Sequence, residues 1–198
     1  MFYDKSHAPS AANCSSAQAV VTSSLHIPLL SNRRALHVLV AEDDVISRQV
    51  LEKYLKALGH TVVLTTNGEE CVTQFASESH AFDIILTDIR MPIMDGFAVT
   101  ELIRAVETET MGAVKNDAGT VPHIPILAVS SSVVETEKDK YIEAGLDGWI
   151  MKPIDSTRLE LLLRGVSDQN VREMCTYKPG QWDIGGWFEH IADRHAWQ

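Results

Sequence analysis

Cysteines are scarce in this sequence, and those present are not spaced to bind a metal or build a disulfide framework. Cys14, Cys71 and Cys175 are the three cysteines, and they lie far apart in the chain. An odd number without a C-x-x-C pair excludes a zinc ribbon and a disulfide-rich secreted scaffold. We therefore expect reduced thiols inside a cell.

Long apolar stretches are also missing. No run approaches the roughly 20 residues that a membrane-spanning helix needs. The opening residues, MFYDK, lack the basic-then-apolar order of a signal peptide. These absences predict a soluble protein of the cytoplasm, with the nucleus as an alternative location and no membrane partner.

Basic residues are too few for a simple nucleic-acid-binding role. The 17 Lys and Arg residues are outnumbered by 27 Asp and Glu residues, so the formal net charge is -10. Such a surface repels a phosphate backbone, and we expect no direct contact with nucleic acid. The 198 residues, 45% of them hydrophobic, suit one globular domain with tails.

Apolar runs and helical patterns alternate along the middle of the chain. Strands are predicted at residues 37–41, 61–64, 83–87, 124–129 and 148–151, and helices at 46–58, 69–79, 97–107, 133–144 and 156–163. This alternation predicts an α/β fold with a doubly wound, five-stranded parallel sheet. The ligand site of such a fold lies at the carboxyl ends of its strands.

The rest of the chain falls into segments of different character. Residues 1–34 are rich in Ser, Ala, Asn and Pro and predict a flexible N-terminal arm, which precedes the domain at residues 35–165. Residues 108–123 predict a long surface loop, either a tolerated insertion or a partner contact. Residues 166–198 are an aromatic tail, too short for a domain, that is able to dock.

Side chains suited to ionic chemistry follow successive strands. Glu42 and Asp43 follow the first strand, Asp88 the third, Ser130 the fourth and Lys152 the fifth. Because the carboxyl ends of parallel strands meet at one edge, these side chains should converge. Successive carboxylates beside a buried strand repel one another unless a cation lies there, and Mg²⁺ prefers such oxygen ligands.

The motifs around these positions resemble the response regulator receiver family. The resemblance rests on LVAEDD at residues 39–44, DIRMPIMDG at 88–96 and MKP at 151–153, and it covers about residues 36–164. It implies a flavodoxin-like (βα)5 receiver fold and a magnesium ion. It also implies transfer of a phosphoryl group to an aspartate from a histidine kinase or a histidine phosphotransfer protein.

By this resemblance, the acidic residues hold the metal and accept the phosphoryl group. Asp88 matches the phosphoryl acceptor and also contributes to the metal site. Asp43 would bind Mg²⁺ directly, Glu42 mainly through water, and the backbone carbonyl of Arg90 would supply a further ligand.

The remaining family positions would contact or report the phosphoryl group. Ser130 would donate its hydroxyl to a phosphoryl oxygen, and Lys152, aimed by a cis bond to Pro153, would bind another. Trp149 occupies the position of the switching aromatic, which is usually Tyr or Phe in the family, and would act as the switch with Ser130.

Each of these positions also has a purely structural interpretation. Asp88 suits a turn after a strand, and Asp44 suits a helix N-cap. Ser130 suits a cap of the next helix, and Lys152 a solvated lysine. Trp149 suits packing on the last strand. The combined motifs outweigh these alternatives for Asp88 and Lys152, but not for Asp44.

The predicted function is that of a receiver whose phosphorylation on Asp88 switches partner binding. It would assist only its own phosphorylation and dephosphorylation, so we do not expect an enzyme that turns over a substrate. The alternative is a magnesium-dependent phosphohydrolase with an aspartyl-phosphate intermediate, but Arg90 stands where an acid-base group is needed. The intact site residues disfavour a degenerate scaffold. The tail resembles C-terminal extensions of fungal receivers in phosphorelays, and the downstream effector is not indicated.

Overall fold

One mixed sheet organises the structure, a computed structural model that describes residues 34–77, 81–111 and 123–189. In this part of the chain the strands are β1 (His37–Ala41), β2 (Thr61–Thr65), β3 (Ile84–Thr87), β4 (Ile126–Ser130), β5 (Gly148–Met151) and β6 (Gly186–Trp187). Their order is β2-β1-β3-β4-β5-β6. The first five strands are parallel, which confirms the doubly wound α/β fold and its flavodoxin-like strand order.

Helices cover both faces of this sheet. They are α1 (Val45–Ala57), α2 (Gly68–Ser77), α3 (Gly96–Met111), α4 (Lys138–Glu143), α5 (Ser156–Arg164) and α6 (Gln169–Met174). Helices α1, α5 and α6 pack on one face, and α2, α3 and α4 on the other. Within the described residues no helix is both long and apolar enough to cross a membrane.

The strands are buried on both faces, as their unbroken apolar runs predicted. In β1, Leu39 packs toward α2 and α3, while Val38 and Val40 pack toward α1 and α5. Leu51 and Leu55 of α1 are fully buried against the same face. Burial of one such side chain contributes about 1.5–3 kcal/mol, so these two apolar layers supply most of the favourable free energy of folding.

Two predicted boundaries between helix and loop are wrong. Helix α3 continues to Met111 instead of ending at residue 107, so residues 108–111 are not part of a loop. Residues 112–122, like the predicted arm at 1–33, lie outside the described residues. The helix predicted at residues 133–144 begins only at Lys138, after a 3₁₀ turn at Glu135–Glu137. The reason is that Val133 is buried in the core and Val134 has extended backbone angles.

A sixth strand joins the five that the sequence predicted. β6 comes from the segment predicted as a tail and pairs antiparallel with β5. Helix α6, capped by the Asp168 side chain, and a 3₁₀ turn at Trp182–Ile184 lead into it. A strand of two residues has no hydrophobic period, so sequence periodicity could not reveal it.

A buried ionic network at the amino-terminal edge of the sheet joins α3 to the start of β4 and β5. One oxygen of Asp147, Oδ2, accepts hydrogen bonds from Arg104 Nη2 and from the backbone N–H of Ile126, both at 2.8 Å. Its other oxygen, Oδ1, lies 2.9 Å from His123 Nε2. Burial alone would raise the pKa of Asp147, but the His123 hydrogen bond and the Arg104 charge hold it below its ordinary value.

We predict that Asp147→Asn destabilises the fold by about 2 kcal/mol at pH 7, because it removes one of the two buried carboxylates that contact Arg104, the other being Glu107. A lowered pKa in the folded state means that folding favours the ionised carboxylate. Its contribution is therefore present above the unfolded pKa of about 3.9 and is lost as the pH falls through the folded pKa. Urea unfolding at pH 7 and pH 3.5 should show the gap between wild type and variant shrinking in acid.

The matched control is Asp139→Asn, which changes an aspartate exposed on α4. We expect it to leave the unfolding free energy within about 0.5 kcal/mol of wild type at both pH values. A gap between wild type and Asp147→Asn that stays constant from pH 7 to pH 3.5 would contradict the ionic explanation.

Candidate functional site

The predicted site residues meet where the parallel strands end. Ala41 of β1 pairs with Thr87 of β3, so Glu42 and Asp88 leave neighbouring strands side by side. At the ends of β4 and β5, the backbone N–H of Lys152 donates to the Ser130 carbonyl at 3.1 Å. The acidic residues, Ser130 and Lys152 thus lie together at the carboxyl-terminal edge of the sheet, as the strand pattern predicted.

Three carboxylates form a compact acidic cluster at this edge. Oxygen atoms of Glu42, Asp43 and Asp88 all lie within 4.8 Å of one another. Glu42 is fully buried and Asp88 is 8% exposed, while Asp43 is the most open of the three. This arrangement of oxygen donors, half enclosed and half open to water, fits a magnesium ion that keeps part of its hydration shell.

Lys152 places its ammonium group between two of these carboxylates. Its Nζ lies 2.5 Å from Asp88 Oδ2, and 2.7 and 3.0 Å from the two oxygens of Glu42. Burial raises the pKa of Glu42, and Lys152 opposes this only in part. Burial would lower the pKa of Lys152, but its bonds to Asp88 and Glu42 raise it above the ordinary value. Lys152 therefore stays charged, and a solvated surface lysine is excluded.

The backbone around Asp88 is held in place from three sides. Its N–H donates to the Ala41 carbonyl at 2.8 Å, and its Oδ1 accepts the Arg90 N–H at 3.0 Å. A Cβ on Gly96 would lie 2.4 Å from the Asp88 carbonyl oxygen, so only glycine lets α3 begin this close. The Arg90 side chain is exposed, and the role of its carbonyl as a metal ligand stays a prediction.

Arg48 supports the acidic loop, a role that the sequence reasoning missed. Its Nη1 donates to the backbone carbonyls of Glu42 at 2.7 Å and Asp43 at 3.0 Å. The available signal was a cation on the first turn of the helix that follows the acidic pair. Asp44 is the N-cap of that helix, as the structural interpretation predicted, and accepts the Ser47 N–H at 2.7 Å.

Ser130 ends β4 with its side chain 1% exposed. Its Oγ lies 3.1 Å from the Ser132 hydroxyl and accepts the Ser132 N–H at 3.2 Å. The serine thus orders the loop that follows β4, but it does not cap a helix, because α4 begins eight residues later. Its contact with a phosphoryl group stays a prediction. The Lys152–Pro153 bond is cis, as the family resemblance implied.

Trp149 is packed inside an aromatic cluster. It is 1% exposed, and its ring stacks on Trp182 and Phe188 with centroids 4.0 and 5.0 Å away. Its Nε1 donates to the Trp182 carbonyl at 3.0 Å. The packing interpretation accounts for all of these contacts, and the switching role of Trp149 stays a prediction.

Comparison with protein families gives a match that covers most of the described chain. The family model described as "Response regulator receiver domain" matches residues 38–164. Probable histidine kinase 5 of Oryza sativa subsp. japonica is 32% identical over an alignment of 133 positions, which covers 62% of this chain and 11% of the kinase. Peroxide stress-activated histidine kinase mak1 of Schizosaccharomyces pombe is 33% identical over 130 residues, 65% of this chain and 7% of the kinase. The chain thus spans only a small part of these relatives.

Solved structures give the same fold. The receiver domain of the histidine kinase CKI1 from Arabidopsis thaliana, complexed with Mg²⁺ and BeF₃⁻, is 30% identical with a TM-score of 0.53 over 66% of this chain and 89% of that one. The receiver domain of sensor histidine kinase PA1611 from Pseudomonas aeruginosa PAO1 has magnesium coordinated in its active site cleft. It is 26% identical with a TM-score of 0.54 over 68% of this chain and 100% of that one.

We predict that Asp43→Ala weakens Mg²⁺ binding by at least about tenfold, because it removes the most open carboxylate of the cluster. Calorimetric titration of MgCl₂ into the protein measures the effect directly. Asp44→Ser is the matched control, since serine keeps the N-cap and removes the neighbouring charge. Equal affinities in wild type and Asp43→Ala would show that the cluster does not bind the metal.

Proposed function

The chain belongs to the response regulator receiver family, and from that premise we propose that Asp88 accepts a phosphoryl group from a phosphohistidine donor in a two-component phosphorelay. One observation carries the proposal. The Asp88 carboxylate lies among Glu42, Asp43 and Lys152, with Lys152 Nζ 2.5 Å from Oδ2, at the open edge where the strands end. A nucleophile, oxygen ligands for a metal and a cation for the incoming charge are thus within contact distance.

In the transfer, a carboxylate oxygen of Asp88 forms a bond to phosphorus as the bond between phosphorus and the donor imidazole nitrogen breaks. The electron pair of the broken bond stays on the imidazole, and the product is an aspartyl phosphate. Lys152 stays protonated and exchanges its contact with the carboxylate for a phosphoryl oxygen. The Ser130 hydroxyl donates to another phosphoryl oxygen.

Glu42, Asp43, Asp88 and the Arg90 carbonyl are the groups that would hold Mg²⁺. When bound, the metal neutralises charge on the phosphoryl oxygens. The chemistry of the donor set supports this assignment, because carboxylate and carbonyl oxygens are the ligands that Mg²⁺ prefers. Arg48 holds the carbonyls of the acidic pair and so keeps their side chains aimed at the edge.

A phosphohydrolase that uses Asp88 as its nucleophile is less well supported. Such an enzyme needs a second acid-base carboxylate near the acceptor to release the intermediate quickly. Arg90 stands two residues after Asp88 and carries no such group. We therefore propose a signalling role without substrate turnover, in which phosphorylation of Asp88, in the domain at residues 35–165, alters the binding of a partner protein.

We propose that the protein acts in the cytoplasm, with the nucleus as an alternative location. We propose no direct contact with nucleic acid or with a membrane.

An exposed apolar patch beside the acceptor fits the docking of the phosphohistidine donor, a histidine kinase or a histidine phosphotransfer protein. Val45 and Ile46 of α1 are 53% and 71% exposed and directly follow the acidic loop. Ile93, in the loop after Asp88, is 79% exposed and has a φ of 70°. A β-branched residue in this region of backbone space is strained, which is common at binding sites. Exposed apolar residues around a phosphoryl site suit a partner that must approach it closely.

We predict that acetyl phosphate with Mg²⁺ adds one phosphoryl group to the wild type and none to Asp88→Asn, as read by intact mass. The amide of asparagine cannot form the acyl phosphate. Asp95→Asn is the matched control, because Asp95 is exposed on the same loop and caps α3, where asparagine caps equally well. A full phosphoryl increment on Asp88→Asn would place the acceptor elsewhere.

We predict that Ile46→Ala slows transfer from a phosphorylated histidine phosphotransfer protein about fivefold or more, the scale of truncating a central interface residue. Labelling by acetyl phosphate should stay within about twofold of wild type, because the small donor needs no protein interface. Leu102→Ala, an apolar residue 42% exposed on α3, is the control. Equal slowing by both substitutions would contradict the assigned docking patch.

A further inference from the structure

Residues 168–189, here called the C-terminal segment, close the β5 edge of the sheet. In β6, Trp187 pairs with Gly148 and Gly186 with Trp149. The Phe188 N–H donates to the Asp147 carbonyl at 2.8 Å, which extends the pairing by one bond. An open strand edge would expose unpaired backbone groups, and the segment satisfies them.

The segment is anchored on both faces of the sheet. Trp187 is fully buried on the face of α5 and α6, where the Arg172 guanidinium lies 4.1 Å from its ring. Trp182 and Phe188 are buried on the opposite face, stacked on Trp149. Arg158 Nη2 donates to the Gly185 carbonyl at 2.6 Å and holds the turn between them.

The same segment also contacts the loop between β4 and α4. The Trp182 Nε1 donates to the Val133 carbonyl at 3.1 Å. The Tyr177 hydroxyl donates to the Glu135 carboxylate, and the Lys138 Nζ lies 5.1 Å from the centroid of the Tyr177 ring. These contacts tie two positions of the loop, and the first residue of α4, to the segment.

This loop begins at the proposed phosphoryl site. Val133 follows Ser130 by three residues, and the Ser132 N–H is already bonded to the Ser130 hydroxyl. If Ser130 turns its hydroxyl toward a phosphoryl group on Asp88, the bonds to Ser132 are lost and the loop is drawn with it. The Val133 carbonyl then moves relative to Trp182, whose indole is held by stacking on Trp149.

We propose that the C-terminal segment is the element that phosphorylation releases, and that the bond from Trp182 Nε1 to the Val133 carbonyl is the coupling contact. The proposal rests on the phosphoryl-accepting function of Asp88. In the unphosphorylated state the segment covers the edge of β5 and one side of Trp149. In the phosphorylated state it opens and exposes that edge. The first response to phosphorylation thus takes place within this chain, because the C-terminal segment is the element that the receiver domain binds or releases.

A reciprocal effect follows from linkage. If phosphorylation weakens the contact of the segment with the loop, weakening that contact must favour phosphorylation by the same factor. A variant that lacks only the coupling bond should therefore open more often when unphosphorylated. It should also respond less when phosphorylated, because part of the transition has already occurred.

The experiment measures hydrogen exchange of the full chain with and without acetyl phosphate and Mg²⁺, with the phosphorylated fraction read by intact mass in the same samples. The reporter of release is the backbone amide of Phe188, which donates to the Asp147 carbonyl beside β5. The amides of Tyr177 and Trp187 donate to the carbonyls of Trp187 and Cys175 within the segment, and they report whether the segment itself stays folded. We expect exchange at Phe188 to rise about tenfold in the phosphorylated wild type. Asp88→Asn with the same reagents should show no rise.

Two conservative substitutions separate the coupling bond from general packing. Trp182→Phe removes the donor to Val133 and keeps an aromatic ring on Trp149. Trp187→Phe makes the same chemical change in the same segment, but its buried Nε1 has no hydrogen-bond partner to lose among the described residues. We expect Trp182→Phe to raise basal exchange and to shrink the phosphorylation-dependent rise to about twofold or less. Trp187→Phe should keep the full rise.

The outcomes distinguish this inference from the proposed function. Full phosphorylation with unchanged exchange at the Phe188 amide overturns the release of the segment and leaves the function of Asp88 standing. Equal loss of the response in Trp182→Phe and Trp187→Phe overturns the coupling contact. If the wild type takes up no phosphoryl group, the proposed function fails and the release of the segment fails with it.

Discussion

The rest of the site depends on the ammonium group of Lys152, which lies between Glu42 and Asp88. Two carboxylates at the ends of neighbouring strands, one of them fully buried, repel each other and lose their hydration. Lys152 offsets both costs by contacting the two at once. Removing one partner of such a buried set typically costs about 3–5 kcal/mol. The contact between Lys152 and Glu42 spans 110 positions of sequence, so it also fixes β5 at its place in the sheet.

This balance of charge would let the site accept the proposed phosphoryl group on Asp88 without refolding. Asp88 carries one negative charge and holds Lys152 directly; an aspartyl phosphate carries its charge farther out, on the phosphoryl oxygens. Lys152, on a flexible four-carbon side chain, can follow that charge outward. The negative charge of Glu42 is then less well balanced, because Lys152 has moved away from it. A divalent cation held by Glu42 and Asp43 would restore the balance, which gives a physical reason for a metal and a phosphoryl group to belong to the same state.

The sequence predicted the site better than it predicted the edge of the sheet. Glu42, Asp88 and Lys152 were predictable because each follows a strand whose apolar run is unmistakable, and strand ends converge in a parallel sheet. The charge pairing of Lys152 with Glu42 was not, since it depends on side-chain reach. Strand β6 and the Trp182 contacts were missed because they come from backbone pairing and stacking over a few residues. Neither interaction leaves a periodic signal in the sequence.

The buried indole of Trp149 requires the contacts that the C-terminal segment provides. Phenylalanine at this position would need no acceptor inside the fold, because it has no polar side-chain atom. A fully buried indole does need one, since an unpaired buried N–H is costly. The Trp182 carbonyl supplies that acceptor at 3.0 Å, and the Trp182 ring covers the face of the indole at 4.0 Å. Without residues 182–188 the same indole would lie at an open strand edge, with its N–H and one face exposed to water. The buried indole at position 149 thus depends on the segment that ends in the extra strand, because that segment supplies both its hydrogen-bond acceptor and the ring that covers it.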